Sequence, residues 1–310
     1  MLVFGALFVL ISLVDSAVVV EWPKVLLIMG SVAVVILAMN FWASFGSTGW
    51  REILKMYYIV PLVPLYFKAS EYISTPIHGH NFDAFLVQVD RFICGGWDPT
   101  VWLFTHFPHP PALTEYLTLC YSVFYFLPVA LSVELYRQAQ REESNGFSSE
   151  ATWAKFQQLF FIIIYGFLIS FASYVILPSI GPRFSVHNFF DLSKDLPGVL
   201  VTEPIRTFLN LGENIRPSMN LAEVTRCVTR DAFPSGHTDM TLITMILAFR
   251  FRAKLRWVLL VVGSSLIFST VYLRYHYVVD LIGGAMLAAI TFLTWRFVRD
   301  WMVRINSRFA

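Results

Sequence analysis

Two short stretches of this chain hold residues that can do chemistry together. One is Phe233-Pro234-Ser235-Gly236-His237-Thr238, and the other is His276-Tyr277-Val278-Val279-Asp280. Ser235 is of the type that caps a helix, and Gly236 keeps the backbone open behind it. A helix N-terminus presents unpaired N–H groups and the positive end of a dipole, which suits a phosphate. His237 in the first turn stands where it can give or take a proton beside that anion. The plainer reading is a capped helix start with an interfacial histidine. His276 and Asp280 are four apart and share a helix face. A carboxylate accepting from one imidazole nitrogen fixes the tautomer and leaves the other nitrogen basic, as an oriented nucleophile requires. The plainer reading here is a His–Asp pair that ties helices together.

The elements that position these residues follow from composition. The chain has 310 residues, 56% hydrophobic and only 14% charged, with mean hydropathy +0.61. Soluble domains run at about 45–50% apolar and about 25% charged. The bias excludes a soluble enzyme and, being opposite in sign to disorder, excludes a disordered chain. Three cysteines exclude a disulfide scaffold, and a net charge of +2 gives no nucleic-acid footprint. The expectation is an all-α, polytopic transmembrane helical bundle. A helix needs about 20 apolar residues to cross the hydrocarbon. Such runs fall at 2–20, 25–45, 53–73, 112–136, 156–178, 237–251, 255–273 and 278–297. That makes about eight spans, six of them around the two motifs. Pro61, Pro64, Lys68 and Glu71 interrupt the third. The first lacks a basic leader and is followed at once by a second apolar run, so it reads as an uncleaved anchor.

Basic residues set the sidedness. Four lie in the hairpin Arg250, Arg252, Lys254 and Arg256, and four in the tail (Arg296, Arg299, Arg304, Arg308). With Arg137, Arg141, Lys155, Arg51 and Lys55, 13 of the 23 Lys and Arg share one side. Both termini are therefore expected in the cytoplasm, and both motifs at the opposite, periplasmic face of a bacterial inner membrane. Residues 81–107 mix Asp83, Asp90, Arg91 and Asp98 with Phe, Val, Leu and Trp, as an amphipathic segment in the interface would. Residues 179–235 form a long outer segment, of the kind usually functional or mobile.

The motifs resemble those of the type 2 phosphatidic acid phosphatase superfamily. Pro234-Ser235-Gly236-His237 matches its second motif, and Ser269, His276 and Asp280 match its third. Within the superfamily the pattern looks most like the branch of inositol phosphorylceramide synthase and sphingomyelin synthase. Leu177-Pro178-Ser179-Ile180-Gly181-Pro182-Arg183 resembles that branch's first motif, and Asp90-Arg91-Phe92, with Trp97 and Pro99, is also similar to it. The resemblance covers roughly residues 82–297. It implies a catalytic membrane domain over 76–310; the N-terminal transmembrane helices over 1–75, read from the apolar runs, lie outside it.

Carried over residue by residue, the resemblance implies that His276 attacks phosphorus to form a phosphohistidine. Asp280 orients it, and His237 protonates the leaving group, then deprotonates the acceptor. Ser235 and the N–H groups near Gly236 hold phosphoryl oxygens, and Arg183 neutralises their charge. Thr270 stands where the third motif has arginine, and Arg274, one turn later, is the candidate replacement. Ile176 stands where the first motif has lysine. The implied activity is a metal-independent lipid phosphate phosphatase or phosphotransferase, a phosphoric ester hydrolase or its transferase counterpart. The alternative is a headgroup transferase that uses a lipid alcohol acceptor. A non-enzymatic lipid transporter or scaffold on the same fold is the third reading, against which the intact His237, His276 and Asp280 argue. The expected partners are membrane lipids, with a lipid phosphate or phosphodiester as substrate. No metal and no cofactor is expected. His78, His80 and Asp83, followed by His106 and His109, would suit a metal, but read better as loop residues. Cys94 and Cys227 lie on one side and would pair only if the fold brings them together.

Overall fold

Apolar runs without charge become helices, because in a low-dielectric setting each backbone N–H must find its partner within its own segment. The computed structural model of the protein describes residues 22–43, 50–78, 80–174 and 176–309, together with 1, 5–7, 9–10 and 45. Among the described residues there are helices and no strands, so the all-α expectation holds. The expected span at 2–20 lies largely outside the described residues.

Helices α1 (Trp22–Ala43), α2 (Trp50–Tyr57) and α3 (Val63–His78) come first. The run expected as one span at 53–73 is broken: a 3-10 turn at Val60–Leu62, carrying Pro61, separates α2 from α3. Two short helices follow, α4 (Asp83–Ile93) and α5 (Pro99–His106), in the segment read as amphipathic. The Asp98 side chain caps α5 by accepting from the N–H groups of Thr100 and Val101. The run expected as one span at 112–136 forms two helices, α6 (Pro111–Ser122) and α7 (Phe126–Ser144), bent by 61°. Pro128 explains the break. It has no N–H to give, and its ring would clash with the carbonyl four residues back, at Phe124, so the helix cannot run through.

The long α8 (Glu150–Ser173) leads to a loop region with short turns α9 (Pro182–Ser185) and α10 (Leu192–Asp195) and helices α11 (Thr202–Gly212) and α12 (Leu221–Cys227). Three further helices close the fold: α13 (Gly236–Arg250), α14 (Arg256–Tyr272) and α15 (Val278–Phe309). By length and apolarity α1, α8 and α15 can each cross a membrane, and α6 with α7 can make a fourth span. At 1.5 Å per residue, the 15-residue α13 reaches only about 22 Å.

The main core gathers Leu159, Ile162, Met240, Ile243, Leu247 and Leu266 between α8, α13 and α14. Helix α13 is its axis and packs on α8, α14 and α15. Two glycines let backbones approach at its start. A Cβ on Gly284 of α15 would fall 2.4 Å from the Ser235 carbonyl, and one on Gly236 would fall 2.4 Å from the Tyr174 hydroxyl. The start of α13 is thereby pressed against α8 on one side and α15 on the other.

Candidate active site

Three loop segments meet at this end of the bundle, and backbone bonds stitch them together. The His276 ring nitrogen Nδ1 lies 2.8 Å from the Ala232 carbonyl, and Ser235 N–H donates to the Asp280 carbonyl at 2.9 Å. Ala232 N–H donates to the Ser179 carbonyl at 3.1 Å, and Arg183 N–H donates to that of Arg274 at 3.0 Å. Helix α4 supplies the outer brace. Asp90 accepts from the Val278 and Val279 N–H groups at 2.9 and 2.7 Å, which caps α15. Asp83, seven residues earlier and so on the same face, accepts from Ile180 and Gly181 N–H and from the Tyr277 hydroxyl.

Within this frame the predicted pair forms. His276 Nδ1 lies 3.3 Å from Asp280 Oδ2, which also accepts from Tyr277 N–H at 2.8 Å. Two acceptors on Nδ1 place the proton there, and Nε2 keeps its lone pair. That Nε2 lies 3.3 Å from Nδ1 of His237. Burial draws His276 below the ordinary histidine pKa, against the opposing pull of the Asp231 carboxylate. Burial, and then the nearby Glu213, hold Asp231 above the ordinary carboxylate range.

Ser235 is fully buried and caps α13, its hydroxyl oxygen accepting from Thr238 N–H at 3.2 Å. Helix geometry leaves the N–H groups of Gly236 and His237 without intrahelical partners. The His237 ring lies against two aromatic faces, stacked on Tyr121 at 4.5 Å and tilted on Phe124 at 4.3 Å. Tyr121 in turn stacks on Tyr275 at 4.4 Å, and the Arg183 guanidinium lies 4.4 Å over the other ring of that stack, Tyr275. Arg183 is 4% exposed; it pairs with Glu213 and reaches Asn210 at 3.5 Å.

Of the predicted residues, the structure brings together His237, His276, Asp280, Ser235 and Gly236, with Arg183 two stacked rings, Tyr275 and Tyr121, from His237. It does not bring Arg274 to the pair. Arg274 closes α14 with φ +64°, a left-handed position that usually falls to glycine. Its side chain pairs with Asp195 at 2.8 Å and lies over Phe104 at 4.5 Å. The strained turn serves His276: Tyr275 and His276 N–H both donate to the Thr270 carbonyl, at 2.9 and 3.0 Å.

Of the residues weighed as metal ligands, the side chain of His78 lies outside the described residues. His106 stacks on Trp102 and His109 on Phe104, while Asp83 braces the loops. Among the described residues no three His, Cys, Asp or Glu side chains converge as a ligand set. Cys94, Cys120 and Cys227 are free thiols.

A cavity of about 790 Å³ opens against Gly236 and His237. Its walls are mostly aromatic and aliphatic, including Phe67, Phe124, Phe167 and Phe171, with Lys68, Ser122, Glu213, Thr229 and Asp231 among its polar members. A comparison with protein-family models matches residues 84–294 to the one described as the PAP2 superfamily. The chain belongs to the PAP2 superfamily. The matched stretch runs from α4 into α15 and contains Asp90, Arg183, Ser235, His237, His276 and Asp280; it begins one residue after Asp83. Membership suggests a phosphatase or phosphotransferase on lipid-like phosphates. Comparison with curated proteins gave no match, and comparison with solved structures gave none.

Sequence reasoning gave no role to Tyr121, Glu213 or Asp231, and it cited Asp90 without saying what it does. The seven-residue spacing of Asp83 and Asp90 was the one available signal for the brace. Glu213 and Asp231 look like any other acidic residues of a long loop until the fold brings them to the cavity.

Proposed function

We propose that this PAP2 protein transfers phosphoryl groups of membrane lipids through a phosphohistidine on His276. The observation that carries the reading is the His276 ring, with Nδ1 held by Asp280 and the Ala232 carbonyl and Nε2 facing His237. In the first step Nε2 attacks phosphorus, the P–N bond forms and the ester P–O bond breaks. Protonated His237 gives its proton to the leaving alkoxide. In the second, water or an alcohol attacks, His237 takes its proton, and the P–N bond breaks to restore both rings. The two imidazoles touch at rest, so the incoming phosphoryl group must part them. The Gly236 and His237 N–H groups receive phosphoryl oxygens at the capped start of α13, with Ser235 fixing that start. Arg183 supplies the fork of charge, since phosphoryl transfer rests on positioning and neutralisation. The residues need no metal ion for these steps.

The apolar cavity beside His237 supports a lipid substrate. Glu213 and Asp231 on its wall disfavour a phosphomonoester dianion over a phosphodiester monoanion. This supports the transferase variant, similar to inositol phosphorylceramide or sphingomyelin synthase, with a lipid alcohol acceptor. The basic residues Arg250 and Arg256 flank the far end of α13, so we place the termini in the cytoplasm. The site then faces the other side of the membrane, the periplasmic side of a bacterial inner membrane.

The test is purified protein in detergent with EDTA, beside His276→Ala, offered phosphatidic acid, polyprenyl diphosphate and phosphodiester lipids with a diacylglycerol or ceramide acceptor. Turnover by wild type, with an acid-labile phosphoryl label that His276→Ala lacks, is the expected result. Equal turnover by His276→Ala, or loss of wild-type activity in EDTA, overturns the mechanism.

A further inference from the structure

Helix α11 is inside out. Its polar Thr202 and Arg206 are 0% and 5% exposed, whereas Phe208 and Leu211 are 75% and 57% exposed. The loop that leads into it continues the pattern, with Val199 and Leu200 at 67% and 79%. Arg206 spends its donors inward, on the Leu196 carbonyl at 2.7 Å and on Glu203 at 2.8 Å. A helix facing water would be turned the other way.

Both ends are tethered to bundle helices. At the start, Glu115 of α6 accepts from Val199, Leu200 and Thr202 N–H and from the Thr202 hydroxyl. Just past the end, the Asn214 amide donates to Glu71 of α3 at 3.1 Å. Helix α11 therefore bridges α6 and α3 as a bar. Ile205 and Leu209, with Pro204 and the exposed Phe208 at the rim, line the cavity that ends at His237. Facing them across the same cavity stand Pro64 and Phe67 of α3 and Phe126 at the bend, itself 66% exposed. The exposed apolar face of the bar is thus continuous with the apolar flank of the bundle.

We infer that α11 is seated in the headgroup–acyl boundary of the bilayer and forms one wall of a lateral portal. Through it the acyl chains of a lipid pass from the membrane to His237. The occupant of the exposed face is the bilayer itself. An apolar stripe of this kind gains by insertion to interfacial depth. Lys68, on α3 at the cavity wall, pairs with Glu71 at 2.6 Å, the same carboxylate that accepts from Asn214. The inference rests on the proposed lipid activity, which it deepens by naming the route of entry.

Two measurements separate the inference from that reading. In a background where Cys94, Cys120 and Cys227 are replaced by serine, a nitroxide is attached at Leu211→Cys or, as control, Glu203→Cys, in phosphatidylcholine vesicles. Residue 211 should collide readily with oxygen and little with an aqueous nickel chelate, and residue 203 should show the reverse. Equal aqueous access at the two positions overturns the seating of α11, whatever the enzyme does. The second measurement compares Leu200→Asp/Leu211→Asp with wild type on dioleoyl and water-soluble dihexanoyl phosphatidic acid. The ratio of long-chain to short-chain turnover should fall about tenfold, the cost of forcing charge into the boundary. An unchanged ratio overturns the portal, including when both activities fall together. If wild type turns over neither lipid, phosphomonoester hydrolysis fails, the same ratio is read on long- and short-chain phosphodiester donors, and the label still decides where α11 sits.

Discussion

The hub around His276 and the bar across the cavity are built in opposite ways. The hub is closed by backbone groups: carbonyls of Ala232, Asp280, Ser179 and Arg274 each accept from a neighbouring loop, and two aspartates of α4 complete it. The bar is held by side chains: Glu115 at its start, Asn214 past its end, Arg206 on the Leu196 carbonyl and Asn210 beneath Arg183. A backbone ladder fixes positions to fractions of an ångström and cannot slide. Side-chain tethers can re-form as an element shifts, without unfolding it. The contrast assigns chemistry to the rigid part and access to the adjustable one, and it can be broken from either side.

The strongest test removes the nucleophile. His276→Ala should cost at least about 10³-fold in turnover with the fold intact, since loss of a covalent catalyst is of that order or more. Near-normal circular dichroism and melting would show that the hub does not need the ring. Next comes the charge. Arg183→Ala should lose about 10²-fold, as does removal of one preorganised donor to a developing charge. Arg274→Gly should stay within about tenfold, because glycine suits the left-handed turn that Arg274 now strains into. Comparable losses in the two variants would return Arg274 to the phosphate. Asp90→Ala leaves two N–H groups of α15 unanswered and should destabilise the hub by roughly 3 kcal/mol, read as a lower unfolding temperature. On the other side of the comparison, Glu115→Gln weakens one tether of the bar and should change KM for long-chain lipid severalfold while kcat barely moves. A matching fall in kcat would mean that the bar is as much part of the chemistry as the hub.

The smallest effect concerns pH. Burial lowers the pKa of His276, and only the neutral ring attacks. Activity should therefore survive below the ordinary histidine value of ~6.5 and fail at more acid pH. Asp231 favours the charged ring, so Asp231→Asn should move that acid limb to still lower pH. A limb that moves upward would mean that the carboxylate acts on another group.

What could be read from the residues alone was local. His276 and Asp280 meet at the expected spacing of four, although His276 stands two residues ahead of α15 and Asp280 reaches back to it, and Ser235 caps because its type and place dictate it. Those contacts needed no fold. Arg274 was read through the same lens, one turn from its motif position, but its partner Asp195 is 79 residues away and no spacing reveals it. The bend between α6 and α7 was within reach: Pro128 stood in a run read only for hydropathy, and its missing N–H outweighed the run's length. Pro61 and Pro64 gave the same warning between α2 and α3, where the run was read as interrupted and proved to be two helices. The inverted polarity of α11 could not be read at all, since which face is buried depends on Glu115 and Leu196 being where the fold puts them.

One pairing in the site acquires another meaning when it is treated as an equilibrium. Glu213 already sits on the guanidinium that the proposal reserves for phosphate. It behaves as a resident ligand, held against the guanidinium by the fold. A phosphate in free solution would have to outcompete that carboxylate and would bind poorly. A lipid phosphate, confined to two dimensions and delivered along the same wall, arrives at a raised local concentration and can take its place. Such a site discriminates by how its substrate is delivered, and it releases its product readily because a replacement is always at hand.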